Sequence, residues 1–229
     1  MKSYALGLTV LLLISSSAIA QKTDPPKDAK AEAGTIPAPP PITDKSTPTD
    51  LARAALAAMG GDNFKKMKSS FVSGSANLYA PNQTQSIPGS FAIATAGEKV
   101  RVDINAQPAF VFKDIYDGVR SVSSIPGIEI PPPSKFGLPV LAKFEQPGYT
   151  VSAIPDKKKL RGFRIVDADG NTTNFYLDPT TARISEYTIP YGDYTVGSSI
   201  TKFAEVEGVL IPVNFTQIRT ARRRLLRGI

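Results

Sequence analysis

Polar and apolar residues alternate with a period of two along most of the chain after Ser70, most regularly over residues 99–104. Successive side chains of a β-strand point to opposite faces of a sheet, so this alternation predicts strands with one wet and one dry face. The same pattern predicts further strands over residues 71–79, 90–95, 109–116, 119–124, 149–154, 161–166, 173–177, 184–189, 198–206 and 209–218. Turn sequences such as Asp117-Gly118 and Glu207-Gly208 join neighbouring strands as hairpins and therefore predict an antiparallel meander.

Two segments depart from this alternation. Before the strands, Leu51, Ala55 and Met59 fall on one helical stripe, which predicts a helix capped by Thr49 and ended by Gly60-Gly61, with a further turn over residues 63–68. Between the strands, residues 126–148 are irregular and rich in proline, with a short predicted helix over residues 139–144. We interpret this second segment as a lid or plug over one face of the sheet.

About ten strands are too many for a flat open sheet. The pattern therefore predicts a mainly β fold with an N-terminal helix, in which a curved antiparallel sheet forms an incomplete, or half, β-barrel with one or two helices against its concave face. The predicted domain covers residues 49–218. Its dry face forms either an apolar cavity or a closed core filled by the same side chains.

The first twenty residues predict a cleaved signal peptide. A single Lys2 precedes an apolar run over residues 5–14, and Ala18-Ile19-Ala20 supplies small residues for cleavage before Gln21. The run is shorter than the roughly 20 apolar residues that span a bilayer, so we expect export rather than a transmembrane anchor. The chain has no cysteine, which excludes a lipid anchor on cysteine and stabilisation by disulfides.

The two ends of the exported chain differ from its body in composition. Residues 21–48 contain many prolines and no aromatic residue, which predicts a disordered linker. Residues 219–229 form a basic tail that accounts for most of the positive charge of the exported chain. The tail is either a solvated terminus or a contact for anionic lipid, carried by Arg222, Arg223, Arg224 and Arg227. Export and the confinement of charge to this tail exclude nucleic acid as the expected partner.

The residue types exclude most catalytic chemistry. Without histidine or cysteine the chain cannot build the usual zinc sites, a serine–histidine triad or a cysteine nucleophile. Ser199 and Lys202 have the spacing of a serine–lysine pair, but on a strand they point to opposite faces. Asp167, Asp169 and Asn171 are explained better by a hairpin turn than by a calcium loop. We therefore expect no enzyme activity, catalytic residue, metal site or cofactor.

The turns and strand ends of the chain resemble those of a known group of proteins. The matching positions are residues 175–181 and 203–212, and residues 57–61 followed by Met67-Lys68-Ser69 and Gly74. These features resemble outer-membrane lipoprotein-sorting proteins of the LolA/LolB-like superfamily over roughly residues 50–217. The resemblance implies a periplasmic half-barrel that holds acyl chains. Only turns match, so no functional residue is carried over, and the chain departs from the family in its long proline-rich leader and in its tail after Gln217.

The first functional hypothesis is a periplasmic carrier or sensor that binds an acyl chain, lipid or lipoprotein in the sheet cavity. The candidate cavity residues are Phe91, Ile93, Val102, Ile104, Phe110, Phe112, Phe163, Ile165, Phe175 and Tyr187. The candidate lid residues are Phe136, Leu138, Leu141 and Phe144. The alternative is a cell-envelope interaction module that contacts a protein partner or an anionic membrane through its sheet edge and basic tail.

Overall fold

A computed structural model describes residues 14–15, 36–80, 83–126 and 131–221 of the chain. Helix α1 covers Pro48–Ala58, helix α2 covers Asp62–Lys66, and a 3-10 helix covers Leu138–Ala142. Strands β1 to β12 are, in chain order, Ile14–Ser15, Ser69–Tyr79, Ser86–Ala96, Lys99–Ala106, Phe110–Tyr116, Ser121–Ser123, Thr150–Ala153, Arg161–Val166, Thr172–Leu177, Ile184–Tyr191, Tyr194–Val206 and Val209–Ala221.

The strands form a curved, open antiparallel sheet, which confirms the predicted fold class. Strands β2 to β6 make one half and β7 to β12 make the other, each as a meander of hairpins. The two halves meet through β1, where Ser15 pairs with Asn77 of β2 and with Thr216 of β12. The order across the sheet therefore runs from β6 to β2, through β1, and from β12 to β7.

Strand ends differ from the predicted ones where pairing partners extend or stop the ladder. Strand β3 begins at Ser86 because it pairs with β2 as far as Tyr79. Pro88 is tolerated there because it lies beyond Ser90, the last β3 residue that pairs with β4. The predicted strand over residues 119–124 shortens to Ser121–Ser123 at the free edge of the sheet.

Helix α1 begins two residues earlier than the sequence predicts, and its N-cap is Thr47 rather than Thr49. Pro48 occupies the first helical turn, and the Thr47 hydroxyl accepts a hydrogen bond from the Asp50 amide at 3.2 Å. The Asp50 carboxylate accepts one in return from the Thr47 amide at 2.9 Å, which completes a capping box.

Helix α1 lies against the concave face of the sheet. It packs on β7, β8 and the 3-10 helix, with Leu51, Ala55 and Met59 buried. At its end the Leu210 amide donates a hydrogen bond to the Met59 carbonyl at 3.0 Å, and a Cβ on Gly60 would collide with the Gly208 carbonyl. The helix is therefore fixed to both the β7–β8 and the β11–β12 hairpins.

The structured domain extends beyond the predicted bounds at both ends. Ile36 and Ile42, in the predicted linker, pack against the core, and Arg161 donates to the Thr43 carbonyl at 2.9 Å. Strand β12 continues to Ala221, so Arg219 belongs to the sheet, where its guanidinium lies 3.8 Å from the centre of the Tyr194 ring. Residues 21–35, the rest of the predicted signal peptide apart from β1, and Arg222, Arg223, Arg224 and Arg227 lie outside the described residues.

Candidate functional site

A cavity of about 570 Å³ lies on the concave side of the sheet. Its walls come from the inner faces of β2 to β5 and of β10 to β12, and from the end of α1, from α2 and from residues 131–146. Most of the wall is apolar, and its volume falls within the roughly 300–1,000 Å³ of small-molecule sites. The alternation of the strands creates this wall because every second side chain of β2 to β5 points inward.

Six of the ten candidate cavity residues line the cavity, while four do not. The six are Phe91, Ile93, Val102, Ile104, Phe112 and Tyr187. Phe163, Ile165 and Phe175 are instead fully buried on β8 and β9, and α1 packs on β8. Phe163 and Phe175 stack with their ring centres 5.1 Å apart. Phe110 stacks on Phe112 at 6.3 Å but does not reach the cavity.

The candidate lid residues divide in the same way. Phe136 and Leu138 line the cavity together with Pro131 and Pro133. Leu141 and Phe144 are buried in the core, because the 3-10 helix that carries Leu141 packs against α1. We use the name lid for residues 131–146; it closes the cavity with its first part and anchors itself in the core with its second.

Gly137 fixes the lid over the other half of the sheet. Its amide donates a buried hydrogen bond to the Thr173 hydroxyl at 3.1 Å. Its φ of +67° is in the left-handed region, and a Cβ there would lie 3.0 Å from the Tyr187 ring. Phe136 packs edge-on against Tyr191 with their ring centres 5.9 Å apart. The lid therefore rests on aromatic side chains of β10.

Ion pairs tie the far part of the lid to the sheet and the helices. Lys143 Nζ lies 2.5 Å from Glu98 Oε1, in the turn between β3 and β4. Glu145 pairs with Lys65 of α2 at 2.8 Å and with Arg53 of α1 at 3.2 Å. These pairs are solvent-exposed, where such contacts contribute about 0–1 kcal/mol each. They therefore add contacts between the lid and the rest of the domain but little to its stability.

Two of these carboxylates have lowered pKa values. Hydrogen bonds from Lys65 and then Arg53 hold the pKa of Glu145 below its usual value, against the opposing effect of partial burial. For Glu98 partial burial raises the pKa, but the hydrogen bond from Lys143 and the charges of Lys143 and Lys135 together outweigh it, so the pKa is lowered. Both carboxylates are therefore ionised at neutral pH and keep their pairs.

Asp114 is the one buried carboxylate among the described residues and lies on the inner side of β5, beside the cavity residue Phe112. Burial raises the pKa of Asp114, against a hydrogen bond from the Ser121 hydroxyl, whose oxygen lies 3.0 and 2.9 Å from the two carboxylate oxygens. Within the described residues no group of three or more acidic side chains could hold a metal ion.

Several lining residues were not among the sequence candidates. Val72 and Val100 lie on strands with regular alternation, so their inward direction could have been inferred from the same period that identified Ile93. Met59 and Phe64 reach the cavity from the helices, and Leu210 and Phe215 reach it from β12. No local pattern distinguishes these four from residues of a closed core, because their position depends on how distant elements pack.

The fold and this site define a class by architecture: an open, curved antiparallel sheet with a covered apolar cavity on its concave side. Comparison with protein-family models and with curated proteins finds no match to the chain. Among the residues that the structure describes, none of the helices combines the length and the apolar character needed to cross a membrane.

Proposed function

We propose that this protein is an exported, non-enzymatic carrier or sensor of the LolA/LolB-like kind that binds an apolar ligand, an acyl chain or lipid, in the cavity. The observation that carries the proposal is the cavity of about 570 Å³ beneath the lid. An apolar chain placed there would remove both its own surface and the cavity wall from water, at roughly 25 cal/mol per Å² of apolar area.

The charged side chains of the wall support an amphipathic ligand rather than a wholly apolar one. Lys65, Lys68, Glu98 and Lys143 lie along one part of the lining, near α2 and the β3–β4 turn. Three of these four are cationic, and none of the described ion pairs involves Lys68. A chain buried among Phe91, Ile93 and Val102 would leave its polar end near these cations.

Ligand-dependent thermal unfolding tests the proposal. A ligand that binds only the folded state at about 100 times its Kd adds about 2.7 kcal/mol to the free energy of unfolding. For a domain of this size each kcal/mol raises Tm by roughly 2–4 °C. We expect palmitate or lysophospholipid to raise Tm, and native mass spectrometry to show one such molecule bound to the protein.

A matched pair of substitutions locates the binding. Val72→Phe places a larger ring in the cavity, whereas Val206→Phe adds the same ring to a position that is 52% exposed outside the lining. The first variant should lose the ligand-dependent rise in Tm and the second should keep it. A protein that shows neither a bound lipid nor a rise in Tm with any of these amphiphiles would contradict the proposal.

A further inference from the structure

The outer, convex face of β2 to β6 carries an unusual row of side chains. Strand register places five outward residues side by side across the five strands, and we call them the outer row: Phe71, Ala94, Arg101, Ile115 and Val122. Phe71 is 70% exposed, Ile115 is 47% exposed and Val122 is 68% exposed. Their sequence neighbours Val72 and Val102 line the cavity on the opposite face, so the row belongs to neither the core nor the cavity.

Cations surround these apolar side chains. Arg101 lies inside the row, and Lys99, Lys113 and Arg120 lie on the adjoining outward positions and the β5–β6 turn. None of the described ion pairs involves these last three, although the charge of Lys113 acts on Asp103, and the charges of Lys99 and Arg120 act on Asp117. Asp103 pairs with Arg101 at 2.6 Å, and Asp117 accepts hydrogen bonds from the amides of Val119 and Arg120. The four cations outnumber these two carboxylates, so the face combines exposed apolar groups with a net positive charge.

The outer face of the other half of the sheet has a different character. Arg164 donates to Asn174 at 2.8 Å, and Asn174 in turn lies 3.3 Å from the Thr188 hydroxyl. Lys157 pairs with Glu186 at 2.6 Å and covers the ring of Tyr176. These polar side chains are each other's hydrogen-bond and ion-pair partners, as is usual on a sheet face that is exposed to water. The outer row is thus a local property of β2 to β6.

We propose that the outer row is a docking surface for an anionic lipid bilayer. Exposed aromatic and aliphatic side chains enter the boundary between headgroups and acyl chains, and neighbouring cations are attracted to anionic headgroups. The excess of cations around Phe71, Ile115 and Val122 gives this face the charge that such a bilayer complements. The proposal uses no cavity residue, so it stands or fails separately from lipid binding inside the sheet.

The natural chain contains no tryptophan, so one substitution creates a site-specific reporter. Phe71→Trp in the full chain should give fluorescence that shifts to shorter wavelength on addition of phosphatidylcholine–phosphatidylglycerol vesicles, and that brominated lipid quenches. Val206→Trp is the matched control, at an exposed position on β11 that is not part of the outer row. It should show neither change, even if the basic tail or the N-terminal segment also contacts the vesicles.

Loss of binding is the second measurement. Phe71→Ser, Ile115→Thr and Val122→Thr combined should weaken sedimentation with these vesicles by about tenfold or more. Lys99→Gln and Lys113→Gln should each weaken binding about fivefold, and should do so only at low salt and only with anionic lipid. Because all five side chains point away from the core, the variants should retain the Tm of the wild type.

Three results would overturn the proposal. One is an unshifted, unquenched Phe71→Trp signal on vesicles that the protein binds, and another is equal binding of neutral and anionic vesicles. The third is a change of the triple variant from dimer to monomer in size-exclusion chromatography without any change in vesicle binding. That last result would assign the outer row to a contact between two copies of this chain.

Discussion

The inner faces of β3–β5 and of β8–β9 carry the same alternation of large apolar residues, yet the cavity of about 570 Å³ is lined by the first and not by the second. We call the inner face of β3–β5 the open region and that of β8–β9 the closed region. In the closed region α1, which also contacts the 3-10 helix, packs over β8, and Phe163 and Ile165 are 0% and 1% exposed. In the open region the lid crosses above Ile93 and Val102 without filling the space. Alternation sets which face of a strand is dry, whereas the covering element decides whether that face is a core or a cavity.

The test with the largest expected effect replaces isoleucine by alanine once in each region. Ile165→Ala should lower the free energy of unfolding by about 3–4 kcal/mol, because it leaves an empty space in a filled core. Ile93→Ala should lower it by only about 1–2 kcal/mol, because Ile93 is half-buried and already borders free space. Urea unfolding followed by circular dichroism measures both values. Equal losses would show that the open region is packed as tightly as the closed one.

The second test concerns the contact between the lid and Tyr187. Gly137→Ala should cost about 2 kcal/mol, since it adds a left-handed alanine and pushes a Cβ against the Tyr187 ring. Gly192→Ala is its control, because Gly192 has a φ of +53° but no atom within 4 Å of the added Cβ. The control should cost only about 1 kcal/mol. If the two variants unfold at the same urea concentration, the lid does not press on Tyr187.

A third test uses the buried charge at the edge of the open region. Burial raises the pKa of Asp114, so ionising this group costs stability as the pH rises above the usual carboxyl pKa of about 3.9. Asp114→Asn should therefore raise Tm at pH 7, and the gain should vanish below that pKa. Thr173 provides the contrast in the closed region, because Thr173→Val should lower Tm equally at all pH values by removing the acceptor of the Gly137 amide. A Tm gain for Asp114→Asn that persists in acid would exclude the charge as its cause.

The smallest effect on stability is expected from the lid's exposed ion pairs. The lowered pKa of Glu145 means that its pairing contributes fully above the unfolded-state pKa near 4.5 and is lost as pH falls through the folded-state value. Glu145→Gln should change the free energy of unfolding at pH 7 by less than about 1 kcal/mol. It should nevertheless speed the release of a bound fluorescent fatty acid, measured by stopped flow. Unchanged release would show that Gly137 and Phe136 alone hold the lid.

The fold followed from the sequence because alternation and turn residues are local signals. Residues 161–166 and 209–218 were predicted as strands, and their pairing as hairpins followed from Gly208 and similar turns. The cap at Thr47 was missed because Thr49 offered the same side chain two residues later, and only Pro48 marked the true start. The cavity could be predicted only in part. Whether Ile93 or Ile165 faces free space depends on where α1 packs against the sheet. That position depends on residues far apart in the sequence, so local patterns do not predict it.

The joint between the halves of the sheet depends on residues of the predicted signal peptide. Among the described residues no ladder joins β2 to β12, and Ile14 and Ser15 of β1 bridge the two strands. Cleavage before Gln21 would remove this bridge from the exported protein and leave β2 and β12 as edge strands, with backbone groups that no other described strand pairs. Under the proposed function, the exported protein would then separate β2 from β12 without breaking a backbone ladder, which would let its cavity admit acyl chains of different thickness.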